Sequence, residues 1–223
     1  MKDLFFKPYI GAGFKNPSNN IFGGLKILVL GHNHYCNKLF NIRKDNQEAR
    51  CGYFCSGYVE KCNDFTNHIV AQFISYCQGN ADFVRFMNTY SKFANALSGY
   101  KYSPQDVWNN IAFFNYCQSA VSFDAEQPET KVYEDSKEPF MNFLINRKPD
   151  VILCWGYEKV YMNTPSDNWT APNGDKLGFY TIGDKMIPMF HIPHPSYKYF
   201  STKAEYEKID GCLSQIKKET NLD

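Results

Sequence analysis

The sequence predicts an α/β fold, a three-layer α/β/α sandwich with a mostly parallel central sheet, in a single domain that spans residues 1–223. Two observations support this prediction: short apolar runs that end at glycine or at a polar residue, and longer segments between them with apolar residues at three- and four-residue steps. With 223 residues, 43% of them apolar, the chain can bury a sizeable core without cross-links.

The first half of the chain contains two predicted strands and an inserted helical pair. Residues 25–30 form a short, partly β-branched run between glycines, which is typical of a buried strand. Helical spacing then extends over residues 64–99 and is interrupted at 79–80, where a turn separates two helices. Ser-Pro at 103–104 indicates a further helix start, and residues 111–116 follow as the second strand.

The second half continues the alternation of helices and strands. Residues 132–146 have helical spacing, and the run at 151–155 is predicted to be the third buried strand. We expect a helix through about Met162, then turns and short antiparallel pieces over 165–183, and a last strand at 186–192. A final helix should follow, with a capping box at its start and an apolar stripe: Thr202 and Glu205 for the box, and Ile209, Leu213 and Ile216 for the stripe.

Composition and charge limit the classes of function. The formal net charge is +1, so no overall positive field draws the protein to nucleic acid, and contact with phosphates would depend on local lysines and arginines. The N-terminal residues include charges and a proline where a secretory signal needs an uninterrupted apolar segment, and no run is long enough to span a bilayer. We therefore expect a cytoplasmic protein with no membrane partner. We also expect it to be a monomer.

The eight cysteines fall into two groups. Four lie in apolar periodic segments, and we interpret them as core residues: Cys77, Cys117, Cys154 and Cys212. The other four crowd one polar stretch in which only one interval is short enough for a zinc knuckle: Cys36, Cys51, Cys55 and Cys62. This spacing favours reduced thiols over a metal or iron–sulfur site, so neither a metal nor a cofactor is predicted.

Three short segments place hydrogen-bonding side chains directly after predicted strands, where open α/β sheets gather their ligand groups. They are Gly31-His32-Asn33-His34-Tyr35, Phe113-Phe114-Asn115-Tyr116 and His194-Pro195-Ser196, and Trp155-Gly156 ends the strand between the last two. We expect these segments to form one pocket for a nucleobase.

Two histidines, His32 and His34, flank Asn33 in the first segment. With His191 and the nearby thiols they could bind a metal. A pair of histidines without a carboxylate partner at a strand end is more typical of polar pocket lining, and this is our interpretation.

Taken in order, the segments resemble the motifs of the uracil-DNA glycosylase superfamily. The likeness covers the order and spacing of elements from about Leu25 to Glu219, with literal identity confined to about a dozen positions. Family members open with Gly-Gln-Asp-Pro-Tyr, or with Gly-x-Asn-Pro-Gly in some branches. Here Asn33 stands at the acidic or amide position, Tyr35 at the tyrosine position, and His34 replaces the usual proline. The resemblance implies a divergent hydrolase that cleaves the N-glycosidic bond of uracil or a related damaged base in DNA.

The resemblance also implies roles for three side chains. Cleavage builds negative charge on the departing base, and His194, as a neutral donor held beside rigid Pro195, would stabilise that charge at the base O2. Asn33 would position the attacking water by hydrogen bonds without strongly deprotonating it. Asn115 would identify the base, because one amide can accept from uracil N3–H and donate to O4 at once.

Further substrate contacts are implied around these three. Gly31 and Ser196 belong to the matching motifs, and Tyr35 corresponds to the residue whose ring crowds the base C5 position and excludes thymine. An aromatic side chain downstream of the first motif should stack on the base, and Phe54 is preferred over Tyr53.

DNA contact is implied for the residues that follow His-Pro-Ser. Family members continue with Pro-Leu-Ser, whose apolar side chain enters the base stack, whereas this chain continues with Tyr197 and Lys198. An aromatic wedge and a phosphate-binding lysine are the corresponding expectation, with single- or double-stranded DNA as the partner.

Two other functions remain open on the sequence alone. One is a non-catalytic protein of the same fold that binds a nucleobase, a nucleotide or nucleic acid. The other is a thiol or metal protein built on the four clustered cysteines, in which the pocket is incidental. The fold by itself does not choose among them, because α/β sandwiches host many functions.

Overall fold

The structure is a computed structural model that describes residues 4–35, 62–84, 86–121, 128–156, 168–170 and 177–220. Seven strands form the main sheet in the order β1-β4-β2-β6-β9-β8-β7. Their bounds are β1 Tyr9–Ile10, β2 Ile27–Gly31, β4 Ala112–Asn115, β6 Val151–Trp155, β7 Asn168–Thr170, β8 Leu177–Ile182 and β9 Lys185–Ile192. A separate parallel pair consists of β3 His34–Tyr35 and β5 Ala120–Val121.

The four central strands, β4, β2, β6 and β9, are all parallel. Antiparallel strands complete both sides: β1 pairs with β4, and β8 and β7 continue outward from β9. The predicted mixed α/β architecture, with a parallel sheet at its centre, is confirmed. All four predicted core strands are present, and Asn115 is the last residue of its strand, as expected.

Helices cover both faces of this sheet. Side chains alternate along a strand, so β2 directs Ile27 and Val29 into one core and Leu28 and Leu30 into the other. Among the residues that the structure describes, four helices pack on the first core and two on the second. The first group is α2 Phe65–Cys77, α3 Phe86–Ser98, α4 Pro104–Asn109 and α6 Thr202–Thr220, and the second is α1 Ala12–Lys15 and α5 Thr130–Arg147.

The inserted helical pair is confirmed as α2 and α3. Gly79 follows α2 with a φ of +77°, a left-handed conformation that glycine adopts without strain, and the helix does not continue through it. At the start of α4 the backbone N–H of Asp106 donates to Ser103 Oγ over 3.1 Å, so the predicted serine cap is also present.

The predicted capping box at the last helix is wrong, although the helix and its stripe are correct. Thr202 is already helical, and the cap is the preceding residue: the N–H of Ala204 donates to Ser201 Oγ over 3.3 Å. Glu205 is buried rather than turned back to the helix start. The apolar stripe of Ile209, Leu213 and Ile216 is buried as predicted.

Two of the four cysteines expected in the core are there. Cys117 and Cys154 are buried, whereas Cys212 is half-buried and Cys77 is exposed, so the interpretation of Cys77 as a core residue is wrong. Cys77 continues the buried stripe of α2 in sequence, but as the last residue of that helix it lies beyond the core.

The N-terminal segment forms structure that the sequence pattern did not predict. Residues Tyr9 and Ile10 pair with β4, and Phe6 N–H donates to Gln118 Oε1 over 3.0 Å. Asn20, which is buried, bonds the carbonyls of Gly13, Leu25 and Asn110 through Nδ2 and accepts from Phe22 N–H.

The predicted helix through Met162 lies outside the described residues. Among the described helices, none combines the length and apolarity that crossing a bilayer requires.

Candidate functional site

The carboxyl ends of the parallel strands gather the three motifs at one edge of the sheet. β2 comes first in the chain among the central strands, yet it lies between β4 and β6, so the chain continues to opposite sides of it. Such a switch point leaves a crevice at the strand ends, where ligands bind in open α/β sheets. The first motif ends β2, Asn115 ends β4, and Trp155 ends β6.

Gly31 brings Asn115 and Trp155 together across β2. Gly31 is in register with Asn115, and a methyl group on Gly31 would lie 2.2 Å from Asn115 Oδ1 and 3.0 Å from Trp155 Nε1. Only glycine leaves room for both side chains at this position. Hydrogen bonds from Tyr116 N to Gly31 O (3.0 Å) and from Cys117 N to His32 O (2.9 Å) extend the ladder beyond the strands.

His194 is held as a neutral hydrogen-bond donor. The backbone N–H of Ser196 points to His194 Nδ1 over 3.1 Å, and Ser196 Oγ lies 2.6 Å from the same nitrogen. Because a backbone N–H can only donate, Nδ1 is the acceptor, and the proton of the neutral ring is on Nε2. Burial lowers the pKa of His194, which keeps the imidazole neutral at physiological pH.

His194 belongs to the same cluster as the end of β2 and the end of β6. Its ring centroid lies 5.6 Å from that of Trp155, and a methyl group on Gly156 would lie 3.6 Å from His194 Cδ2. Burial, and secondarily the charge of His194, lower the pKa of His32 to about 4. The two imidazoles therefore share one electrostatic environment, and protonation of either ring opposes protonation of the other.

The side-chain amide of Asn33 is buried just past the end of β2. The residue is 7% exposed, and among the described residues neither Oδ1 nor Nδ2 has a hydrogen-bond partner. An unpaired buried amide costs about 1–3 kcal/mol per group, and such groups in native proteins call for a water or ligand partner. The amide is therefore available to hold a small polar molecule at the end of β2.

His34 does not line a polar pocket, so that interpretation is wrong for this residue. Its ring is 3% exposed and stacks on Phe6 at a centroid distance of 3.7 Å, with the edge of Phe65 5.8 Å away. Neither ring nitrogen has a partner within the described part of the chain, and burial lowers the pKa to about 3. His34 is thus a neutral aromatic ring in an apolar layer.

Sequence reasoning missed Tyr133, which contacts His32. Tyr133 OH lies 2.7 Å from His32 Nε2, and the two rings stack with centroids 5.8 Å apart. Tyr133 is in the first turn of α5, and its carbonyl accepts from Tyr116 OH over 3.1 Å. No local signal could have revealed it, because the pair joins positions 101 residues apart.

His191 contacts the backbone of the turn that follows β6. Its Nε2 lies 3.2 Å from the carbonyl oxygen of Gly156, whose φ is +113°, and so helps hold the turn that follows β6.

Over the described ranges, no group of three or more His, Cys, Asp or Glu residues is placed to hold a metal ion. Of the clustered cysteines, Cys62 is half-buried. Three lie outside the described residues: Cys36, Cys51 and Cys55.

The residues after His-Pro-Ser form an exposed turn. Tyr197 is 53% exposed, and its N–H donates to His194 O over 2.8 Å. The ammonium of Lys198 lies 4.6 Å from the ring centroid of Tyr199, which is 70% exposed. Tyr197 and Lys198 are thus accessible next to His194, where the sequence predicts DNA contact.

Two of the predicted substrate contacts lie outside this geometry. The backbone of Tyr35 pairs with Val121, but its side chain is outside the described part, as is all of Phe54.

Comparison with known proteins finds no family model and no curated protein that matches this chain.

Proposed function

We propose that this protein is a divergent uracil-DNA glycosylase-like hydrolase that cleaves the N-glycosidic bond of uracil or a related damaged base in DNA. The observation that carries the proposal is the grouping of Asn33, Asn115 and His194 at the carboxyl ends of the parallel strands. Asn115 sits against Gly31, and Gly31 and His194 both lie close to Trp155. Each of the three residues has a side chain of the chemical type that its proposed role requires.

His194 supports the proposal through its tautomer. A base that leaves with the electron pair of the C1′–N1 bond becomes an anion, and a fixed donor aimed at its O2 stabilises the charge as it develops. Ser196 holds Nδ1 as an acceptor, which leaves Nε2–H as that donor. Because the ring starts neutral, it stabilises the anion by hydrogen bonding and remains neutral itself.

Asn33 would supply water and Asn115 would recognise the base. The unpartnered amide of Asn33 can bind one water by accepting from it and donating to it. Oxygen from that water bonds to C1′ as the C1′–N1 bond breaks, and the water proton ends on the released base. An amide is a weak base, so turnover should be slow compared with a carboxylate-assisted reaction.

The direct test is the release of free uracil from single- and double-stranded oligonucleotides. We expect release by the wild-type protein and a loss of about 100- to 1000-fold in His194→Ala, the range for removal of one preorganised donor. Asn33→Ala should also reduce release. The exposed His68 provides a matched control, since His68→Ala removes an imidazole that has no part in the proposed reaction and should leave release unchanged. No release by wild type above the level of both site variants rejects the catalytic proposal.

One observation favours a second candidate, a binding protein of the same fold without turnover. At the water-positioning site the chain has the amide of Asn33 instead of a carboxylate, and the neighbouring His34 ring is neutral in an apolar layer. Tight binding of uracil-containing strands or of a free nucleotide, measured by calorimetry and without product, would support this candidate. If such ligands do not bind, this candidate is rejected as well.

A further inference from the structure

A second cleft lies along the edge of the sheet, away from the strand ends that carry the candidate site. Its volume is about 760 Å³, within the range of small-molecule sites. The cleft is bounded by the N-terminal segment at Lys7 and Ile10, by Asn67 of α2, and by the second half of α5. Tyr133, which contacts His32, does not line the cleft, and Arg147 lies about 20 Å from it along α5 at 1.5 Å per residue.

The wall that α5 contributes combines apolar and amide groups. Pro139, Asn142, Phe143 and Asn146 all line the cleft, and their spacing places them on one face of the helix. Phe143 is buried and forms an apolar floor together with Ile10. Among the described residues, the amides of Asn142 and Asn146 make no hydrogen bond, so both remain available to a ligand.

Two cations occupy the rim, and neither has a carboxylate partner within the part of the chain that the structure describes. Arg147 and Lys7 both line the cleft and are exposed, and their side chains form no ion pair with any residue that the structure describes. The amide of Asn67 donates to Asp64 Oδ1 over 2.9 Å, and its oxygen has no hydrogen-bond partner among the described residues. Positive charge, uncommitted amides and an apolar floor therefore meet in one space.

The surroundings of Arg147 add to the excess of positive charge. The ammonium of Lys26 donates to Arg147 O, and Lys185 forms an ion pair with Asp150. Burial lowers the pKa of Lys26; Asp150 opposes this, while Lys185, Arg147 and Lys148 lower it further. Lys26 is thus close to three other cations and one carboxylate, and a bound anion would relieve the repulsion among these cations.

We propose that this cleft binds a small organic anion, whose phosphate or carboxylate group contacts Arg147 and Lys7 and whose flat or apolar body rests on Phe143 and Ile10. The guanidinium can bind either acid group through two parallel hydrogen bonds. Asn142 and Asn146 bond the polar edge of the ligand. This site is independent of the proposed glycosylase function.

Calorimetry at low ionic strength with phenyl phosphate, benzoate and inorganic phosphate tests the proposal. We expect phenyl phosphate or benzoate to bind, and the tighter of the two identifies the acid group. Arg147→Gln should weaken that binding about tenfold, which corresponds to about 1.4 kcal/mol. Lys148→Gln, which removes an adjacent cation that does not line the cleft, should change it much less.

Three results would overturn the proposal. They are no binding of either organic anion at millimolar concentration, equal weakening by Lys148→Gln and Arg147→Gln, and inorganic phosphate binding as tightly as phenyl phosphate. The second would indicate a diffuse field, and the third would mean that the apolar floor contributes nothing. Uracil release by Arg147→Gln, measured in parallel, should equal that of wild type, so the cleft and the glycosylase proposal can fail separately.

Discussion

Acidification should destabilise this protein through the buried ring of His34. Burial lowers the pKa of this imidazole from 6.5 to about 3 in the folded state, where it stacks on Phe6. As the pH falls, the unfolded chain therefore binds a proton before the folded chain does. The stabilisation is complete above about pH 6.5 and is lost progressively as the pH falls toward 3.

The size of the loss follows from the two pKa values. At pH 5 the pH lies about 1.5 units below the pKa of the imidazole in the unfolded chain, while the ring in the folded protein is still neutral. At about 1.4 kcal/mol per unit, protonation of the unfolded chain lowers the free energy of unfolding by about 2 kcal/mol. His32, with its pKa lowered to about 4, acts in the same direction. Its contribution is smaller than the same arithmetic gives, because its ring is partly exposed. Between pH 8 and pH 5 the free energy of unfolding should fall by about 2–4 kcal/mol.

His34→Phe isolates the contribution of this residue, since it keeps an aromatic ring and removes the titration. Urea unfolding followed by the fluorescence of the buried Trp108 and Trp155 gives the free energy of unfolding at each pH. We expect the variant to lose about 2 kcal/mol less than wild type between pH 8 and pH 5. His68→Phe, at an exposed position of α2, is the matched control for replacing an imidazole with a phenyl ring. Identical pH dependence in wild type and His34→Phe would refute the reasoning.

Three further changes probe the site and the fold. Gly31→Ala would place a methyl group 2.2 Å from Asn115 Oδ1 and should therefore displace that amide. We expect a loss of about 1–3 kcal/mol in the free energy of urea unfolding and the loss of selective uracil binding. Unchanged uracil binding would contradict the contact between Gly31 and Asn115. Ser196→Ala removes the 2.6 Å hydroxyl contact but keeps the backbone donor, so uracil release should fall far less than in His194→Ala; equal losses would show that the backbone N–H does not fix the tautomer. Asn20→Ala leaves several buried backbone groups unpaired and should cost about 2–4 kcal/mol of stability in urea unfolding; a loss below about 1 kcal/mol would mean that water replaces the amide.

The central sheet could be predicted because its strands carry strong local signals. β2 and β6 are continuous apolar runs that are buried on both faces, and glycine follows or ends each of them. The helical pair α2 and α3 shows clear spacing with a glycine between its halves. Strands β1, β3 and β5 have two residues each, which is too short for any periodic pattern, and they exist only through pairing with distant segments.

The site could be predicted in part, because its residues follow the same strands. Side chains that end parallel strands must lie at one edge of the sheet, which is why the positions of Asn115 and His194 follow from the order of the elements. What depends on contacts between distant segments could not be predicted. The apolar layer around His34 requires Phe6, and the partner of His32 is Tyr133 on another element.

The short N-terminal strand has a practical consequence for making shortened versions of this protein. β1 pairs with the outer side of β4, and Phe6 covers the ring of His34. A version that starts at Gly11 would leave a bare hydrogen-bonding edge on a buried apolar strand and would uncover that ring. Unpaired edges of this kind recruit other chains, so such a version should self-associate, and affinity tags are better attached at the other end.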